Sequence, residues 1–171
     1  DYSASFEVTN GSASINAGAI LDGGSNVVGG RLPGRFIFSG EKLTLNGGEY
    51  RNSPYIYLEN QVRVDGTGFT GPGTDSIGRL IIGGRGNADV EFVSTMQGLY
   101  AEVIEIGTNS SLRLGADNQV HSSSSLYLSS GAALPTKGFD VSFSGLSGAA
   151  TAVWAEHSSL WPGSVTPSTR P

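Results

Sequence analysis

112-LRLGADNQVHSSSSLYLSSGAALPTKGFDVSFSGLSG-148 sets two short alternations, LRL and LYL, around a polar run holding one of the chain's two histidines. In each alternation the leucines face one way and the residue between them the other, as in a short strand with one buried side. The polar run admits two readings. His121, beside Ser122 to Ser125 and Asp117, has the residue types of a base, a nucleophile and an orienting carboxylate. Serines and Asn118 also satisfy backbone groups at tight corners, and no G-x-S-x-G elbow exposes a nucleophilic serine. The corner reading is favoured: the run turns the chain between strands.

Working outward, the same alternation recurs as ASFEV (4–8), SASIN (12–16), RFIF (35–38), KLTL (42–45), YIYL (55–58), QVRV (61–64), RLII (79–82), DVEFV (89–93), EVIEI (102–106), SLRL (111–114), SLYL (125–128), FDVSF (139–143) and TAVW (151–154). Glycine pairs and Ser-Gly corners separate them. With Phe36, Ile56, Leu80, Ile104 and Leu126 as anchors, subtraction gives spacings of 20, 24, 24 and 22. An interleaved series, Leu43, Val62, Val90, Leu112 and Leu134, is spaced 19, 28, 22 and 22. Two interleaved series with one period of about 22 residues are what stacked coils produce, each adding one layer to a continuous core. The spacing predicts an all-β, right-handed parallel β-helix (β-solenoid) of about six coils. A β-sandwich or jelly roll also places strands every 8 to 12 residues or so and is the alternative fold.

Residues 112–148 also follow the order of a known repeat: L-x-L-G-A, an Asn-bearing turn, a polar run, L-x-L, a Gly-Ala corner, a short Leu segment, a G-F turn and a closing strand ending in L-S-G. The stretch resembles the autotransporter-associated β-strand repeat of secreted and surface bacterial proteins, departing from it at Pro135 and Lys137. The resemblance implies a parallel β-helix with a structural, display or adhesive role outside the cell, and brings no catalytic residues with it.

Composition narrows the partners. Charged residues make up 15% of the 171, the formal net charge is -5 and the pI about 4.9, which excludes the clustered basic footprint nucleic acid requires. Cysteine is absent, so there is no disulfide or thiolate metal site. No apolar run approaches the roughly 20 residues of a membrane span. An opening Asp1 with a single Met, at position 96, suits a mature secreted chain whose targeting segment has been removed.

His157 lies 36 residues from His121 by subtraction, which is no metal-binding spacing. The run 83-GGRGNADVE-91 approaches a calcium-binding nonapeptide but occurs once, with Asp89 out of register. Asp89 and Glu91 point to the wet side of their strand, and with Glu102 and Glu105 would line a groove if the fold brought them together. Ion pairing with Arg79, Arg85 or Arg113 is the simpler expectation. We therefore expect no enzyme, no metal and no cofactor. Tyr55, Tyr57 and Tyr127 are expected to project outward, where flat rings stack on sugars.

Both ends read as uncapped. Residues 1–161 form one expected domain, with 1–10 as a first, capping or exchanged strand and 162–171 as an extended Pro-rich arm. Open strand edges invite added strands, so the expectation is head-to-tail self-association sealed by Phe6, Val8, Trp154 and Trp161, giving an extracellular filament if the rotation does not close. The alternatives are a passenger stalk of a larger adhesin and a β-helix that binds or degrades polysaccharide.

Overall fold

The computed structural model describes residues 4–24, 32–67, 69, 71–72 and 76–149, and the backbone of 153–154. Among them the regular elements are all strands. One sheet stacks β1 (Ser5–Val8), β4 (Arg35–Phe38), β7 (Tyr55–Leu58), β9 (Ile77–Ile82), β11 (Ala101–Ile106), β13 (Ser125–Leu128) and β15 (Gly145–Gly148). The second stacks β2 (Ser12–Asn16), β5 (Lys42–Asn46), β8 (Asn60–Thr67), β10 (Ala88–Phe92), β12 (Ser111–Arg113), β14 (Ala133–Leu134) and β16 (Val153–Trp154). A small third sheet pairs β3 (Ile20–Asp22) with β6 (Glu49–Arg51). Every strand pair is parallel, which rules out the hairpins and Greek keys of a sandwich. The chain is a parallel β-solenoid.

The anchor spacing translates into register. Phe36 pairs with Ile56, Ile56 with Leu80, Leu80 with Ile104 and Ile104 with Leu126, and the column runs on to Phe6 at one end and Leu146 at the other. Phe38, Leu58, Ile82, Ile106 and Leu128 make a second inward column. Val62, Val90 and Leu112 face them from the second sheet. Burying each such side chain stabilises the stack by about 1.5–3 kcal/mol, and each layer depends on its neighbours for cover.

In three places the strands depart from the expected pattern. Leu43 pairs with Val64, not Val62, because β8 is long enough to meet β5 with its second half and β10 with its first. A two-residue stagger keeps every side chain on its own face, so it leaves the core pattern intact. The alternating run 139–143 is not a strand, and the rung it was expected to supply is β15, at 145–148. The first coil is longer than the period: Phe6 to Phe36 and Ile15 to Leu45 are both 30 residues by subtraction.

Candidate functional site

The outer side of the first sheet carries the chain's most varied chemistry. Its outward-pointing positions form two parallel columns, Ser5, Arg35, Tyr55, Arg79, Val103 and Ser125 in one, and Glu7, Ile37, Tyr57, Ile81, Glu105, Tyr127 and Ser147 in the other. The half nearer the N-terminus is sealed. Ile37, Tyr57 and Ile81 form a small buried cluster with Tyr55 packed beside it. The loop at 83–86 closes over it, so that a side chain at Gly84 would run into the Tyr57 ring at 2.8 Å. The Arg79 guanidinium lies 5.7 Å from the Tyr55 ring centroid, and Arg35 lies 6.0 Å from that of Tyr57.

Arg85 fastens this loop. Its guanidinium reaches back to donate to Glu7, while its backbone N–H donates to Glu59 at 3.0 Å. The Arg85 hydrogen bond holds the Glu7 carboxyl below its ordinary value. Glu59 is only 4% exposed, and burial pushes its carboxyl up despite the N–H groups of Arg85 and Gly84 and the nearby guanidinium. The run 83-GGRG-86, which resembled half of a calcium repeat, is thus the cover of an outer apolar cluster. Tyr55 and Tyr57 do lie on the outward face, but they do not project together: Tyr57 is buried and Tyr55 is half covered.

Toward the other end the same face is open. Arg79, Val103, Glu105, Ser125, Tyr127 and Ser147 line a shallow depression of about 400 Å³. Arg79 Nη1 donates to Glu105 Oε2 at 2.9 Å, and Tyr127 is 42% exposed. Of the three tyrosines singled out from sequence, Tyr127 alone offers an uncovered ring.

The carboxylates expected to share a groove are divided between the sheets. Asp89 and Glu91 sit on β10 in the second sheet, Glu102 and Glu105 on β11 in the first. Each has a partner: Asp89 accepts from Ser111 at 2.6 Å and from Arg113 at 2.9 Å, Glu91 lies 3.5 Å from Arg63, and Glu102 accepts from Ser53 at 2.9 Å. Burial raises the Asp89 carboxyl, but the hydrogen bonds from Ser111 and Arg113 together outweigh it, and the group ends below its usual range. With Lys42 3.6 Å from Asp65, the carboxylates Asp65, Asp89 and Glu91 on the second sheet's outer face each have a cationic partner on a neighbouring rung.

The polar run around His121 is a corner. The His121 N–H donates to Leu99 O, His121 O accepts from Ser124 N–H, and Nδ1 accepts from Ser123 N–H at 3.1 Å. Its ring packs edge-on to Tyr100 at 5.5 Å. The residue holding this corner is one that sequence reasoning passed over, Gln119. Fully buried, it donates to Val93 O at 2.6 Å and Met96 O at 3.1 Å and accepts from Gly115 N–H at 2.8 Å. Ser110 and Ser124, also buried, accept from the Ala88 and Ala101 amides in the same way.

At the N-terminal end Phe6 is inward in register yet 61% exposed, its ring stacked on Phe36 at 5.5 Å and 14°. Val8 is half-buried beside it. Ile20 and Leu32 are exposed as well. The side chain of Trp154, His157, Trp161 and the arm 162–171 lie outside the described residues. Among the described residues no cluster of three or more His, Cys, Asp or Glu is placed to hold a metal ion. No protein-family model, curated protein or solved structure matches the chain.

Proposed function

We propose that the chain is a secreted bacterial structural and adhesive solenoid, acting without catalysis, whose subunits stack head to tail into an extracellular filament. The observation that carries this reading is the open first rung. Among the described residues, nothing pairs with the outer edges of β1 and β2, and Phe6 continues the core column with most of its surface uncovered. A further rung of parallel strand laid on this end extends both sheets by main-chain hydrogen bonds and covers Phe6 as each inner rung covers the next. An exposed 61% of an aromatic residue of roughly 200 Å² is about 120 Å², or ~3 kcal/mol when covered at about 25 cal/mol/Å². The resemblance of residues 112–148 to the autotransporter-associated repeat supports the extracellular setting and the structural role.

Electron microscopy and sedimentation of the protein across a concentration series test the proposal. Filaments are expected, with deletion of residues 1–9 or Phe6→Lys leaving a soluble folded monomer. Monomers at every concentration refute self-stacking and favour a stalk whose added rungs belong to one longer polypeptide. Polymers unchanged by either variant place the joint elsewhere.

A further inference from the structure

We infer that the depression around Tyr127 is a binding site for an uncharged saccharide. It is built from four successive rungs, β9, β11, β13 and β15, and two neighbouring columns: Arg79, Val103 and Ser125 in one, Glu105, Tyr127 and Ser147 in the other. Its size, about 400 Å³, falls within the range of small-ligand sites. The lining offers what a pyranose ring demands. The exposed Tyr127 ring gives a flat surface for the sugar's C–H face. Around it, guanidinium N–H groups donate, carboxylate oxygens accept, and the Ser125 and Ser147 hydroxyls do both, which matches hydroxyls that are themselves donors and acceptors.

Charge selects the class. Arg79 and Glu105 are paired at 2.9 Å, so the floor is electrically neutral, and an acidic polymer finds no unneutralised cation there. The pair is also braced: Arg79 is held over Tyr55 on the side away from Tyr127, so its donors are oriented before a ligand arrives. A purely apolar ligand finds Val103 and the Tyr127 ring but must also cover Arg79, Glu105 and two serines, because Leu126 is buried beneath the lining. The site lies on the outer face of the sheet and uses no residue of the open first rung, so the two proposals are tested by different variants, Tyr127→Ala and Phe6→Lys.

The experiment titrates the full chain, by calorimetry and by saturation-transfer NMR, with cellohexaose, laminarihexaose, maltohexaose and mannohexaose, and with oligogalacturonate as the acidic comparator. Binding of at least one neutral hexasaccharide is expected, with a Kd on the order of 1 mM. Tyr127→Ala is expected to weaken it about tenfold and Tyr127→Phe to retain it, because the ring face and not the hydroxyl carries the contact. Glu105→Gln leaves Arg79 unneutralised and is expected to shift preference toward oligogalacturonate, a change that mere damage to the fold does not produce. Absence of binding to all four neutral sugars at about 10 mM, binding unaffected by Tyr127→Ala, or binding of oligogalacturonate alone by the wild type each overturns the proposal. Filament formation by Tyr127→Ala, scored in parallel, separates a failure of this site from a failure of self-stacking.

Discussion

Replacing Gln119 by Met keeps the side chain's length and removes its hydrogen bonds, and the structure sets the cost. Gln119 is fully buried and makes three contacts, to Val93 O, Met96 O and Gly115 N–H. Val93 O keeps a second partner, the Met96 N–H at 3.0 Å, so its loss is small. Met96 O and Gly115 N–H lose the side-chain partner that meets them in the corner. At about 1–3 kcal/mol for each of the two stranded buried groups, the variant is expected to lose ~2–6 kcal/mol. Equilibrium urea unfolding, followed by circular dichroism and fluorescence, reads this as a fall in midpoint at unchanged slope. Gln61→Met, on an exposed position of β8, is the control and is expected to stay within about 0.5 kcal/mol of wild type. Hydrogen exchange adds a local readout: the amides of Leu99 and His121, which bond across the same corner, are expected to lose protection before those of β4 and β7. A loss below about 0.5 kcal/mol refutes the claim that a buried amide staples successive coils here.

Gly66 has φ +153°, and a Cβ there meets the Leu45 backbone, so Gly66→Ala is expected to strain the β5–β8 joint and lower the thermal midpoint, whereas Gly86→Ala, with open space around it, is not. Glu59 ionises less readily folded than unfolded, so its contribution to stability is fully present below the unfolded carboxyl value and is lost as pH rises through the higher folded one; stability of the wild type relative to Glu59→Gln is expected to fall as pH rises above the ordinary glutamate range, and a flat or rising difference contradicts the assigned cause. Asp89 has the opposite sign: its folded value is depressed, so its contribution is present above the unfolded value and lost as pH falls, and Asp89→Asn is expected to destabilise at neutral pH and converge with wild type in acid. Arg85→Ala removes the clasp on Glu7 and Glu59 and is expected to uncover the Tyr57 ring, detectable as faster modification of that tyrosine by tetranitromethane; unchanged reactivity shows that the loop holds without its arginine.

The inward half of the fold was legible because a solenoid core obeys a local rule. Phe36, Ile56, Leu80, Ile104 and Leu126 are each the inward residue of a short alternation, and identical facing at a regular interval is all that stacking needs. The same rule misplaced Leu43 by two residues, since alternation is indifferent to an even shift. It also failed at FDVSF, where alternation is present but the strand forms just after it, at 145–148, and over the first coil, whose 30-residue length hides it from a 22-residue period. Outer-face events depend on contacts that no periodicity carries. Nothing in RFIF, YIYL or RLII says that Ile37, Tyr57 and Ile81 will be covered; the cover comes from a glycine-rich loop one corner further on, whose arginine reaches back to the first rung. Gln119 left no signal beyond being a polar residue in a polar run. The only sequence clue to its burial is position, two residues before a histidine whose amide must meet the preceding coil.

That division explains why the first sheet's outer face holds two unlike regions. A β-branched or aromatic residue pointing outward on a parallel strand is tolerated when wet, yet three in successive rungs, Ile37, Tyr57 and Ile81, form a ridge that costs free energy unless something covers it. The 83–86 loop does so, and it is short enough to cover only the rungs before it. Past β9 the second column switches to Glu105, Tyr127 and Ser147, residues that bear exposure, with Arg79 shared between the two regions: its guanidinium lies over the Tyr55 ring and its terminal nitrogen holds Glu105. A cation that closes one region also neutralises the floor of the next. The sealed half therefore acts as the shoulder of the open one, where the saccharide site is proposed, on a solenoid whose corners are occupied with satisfying their own backbone.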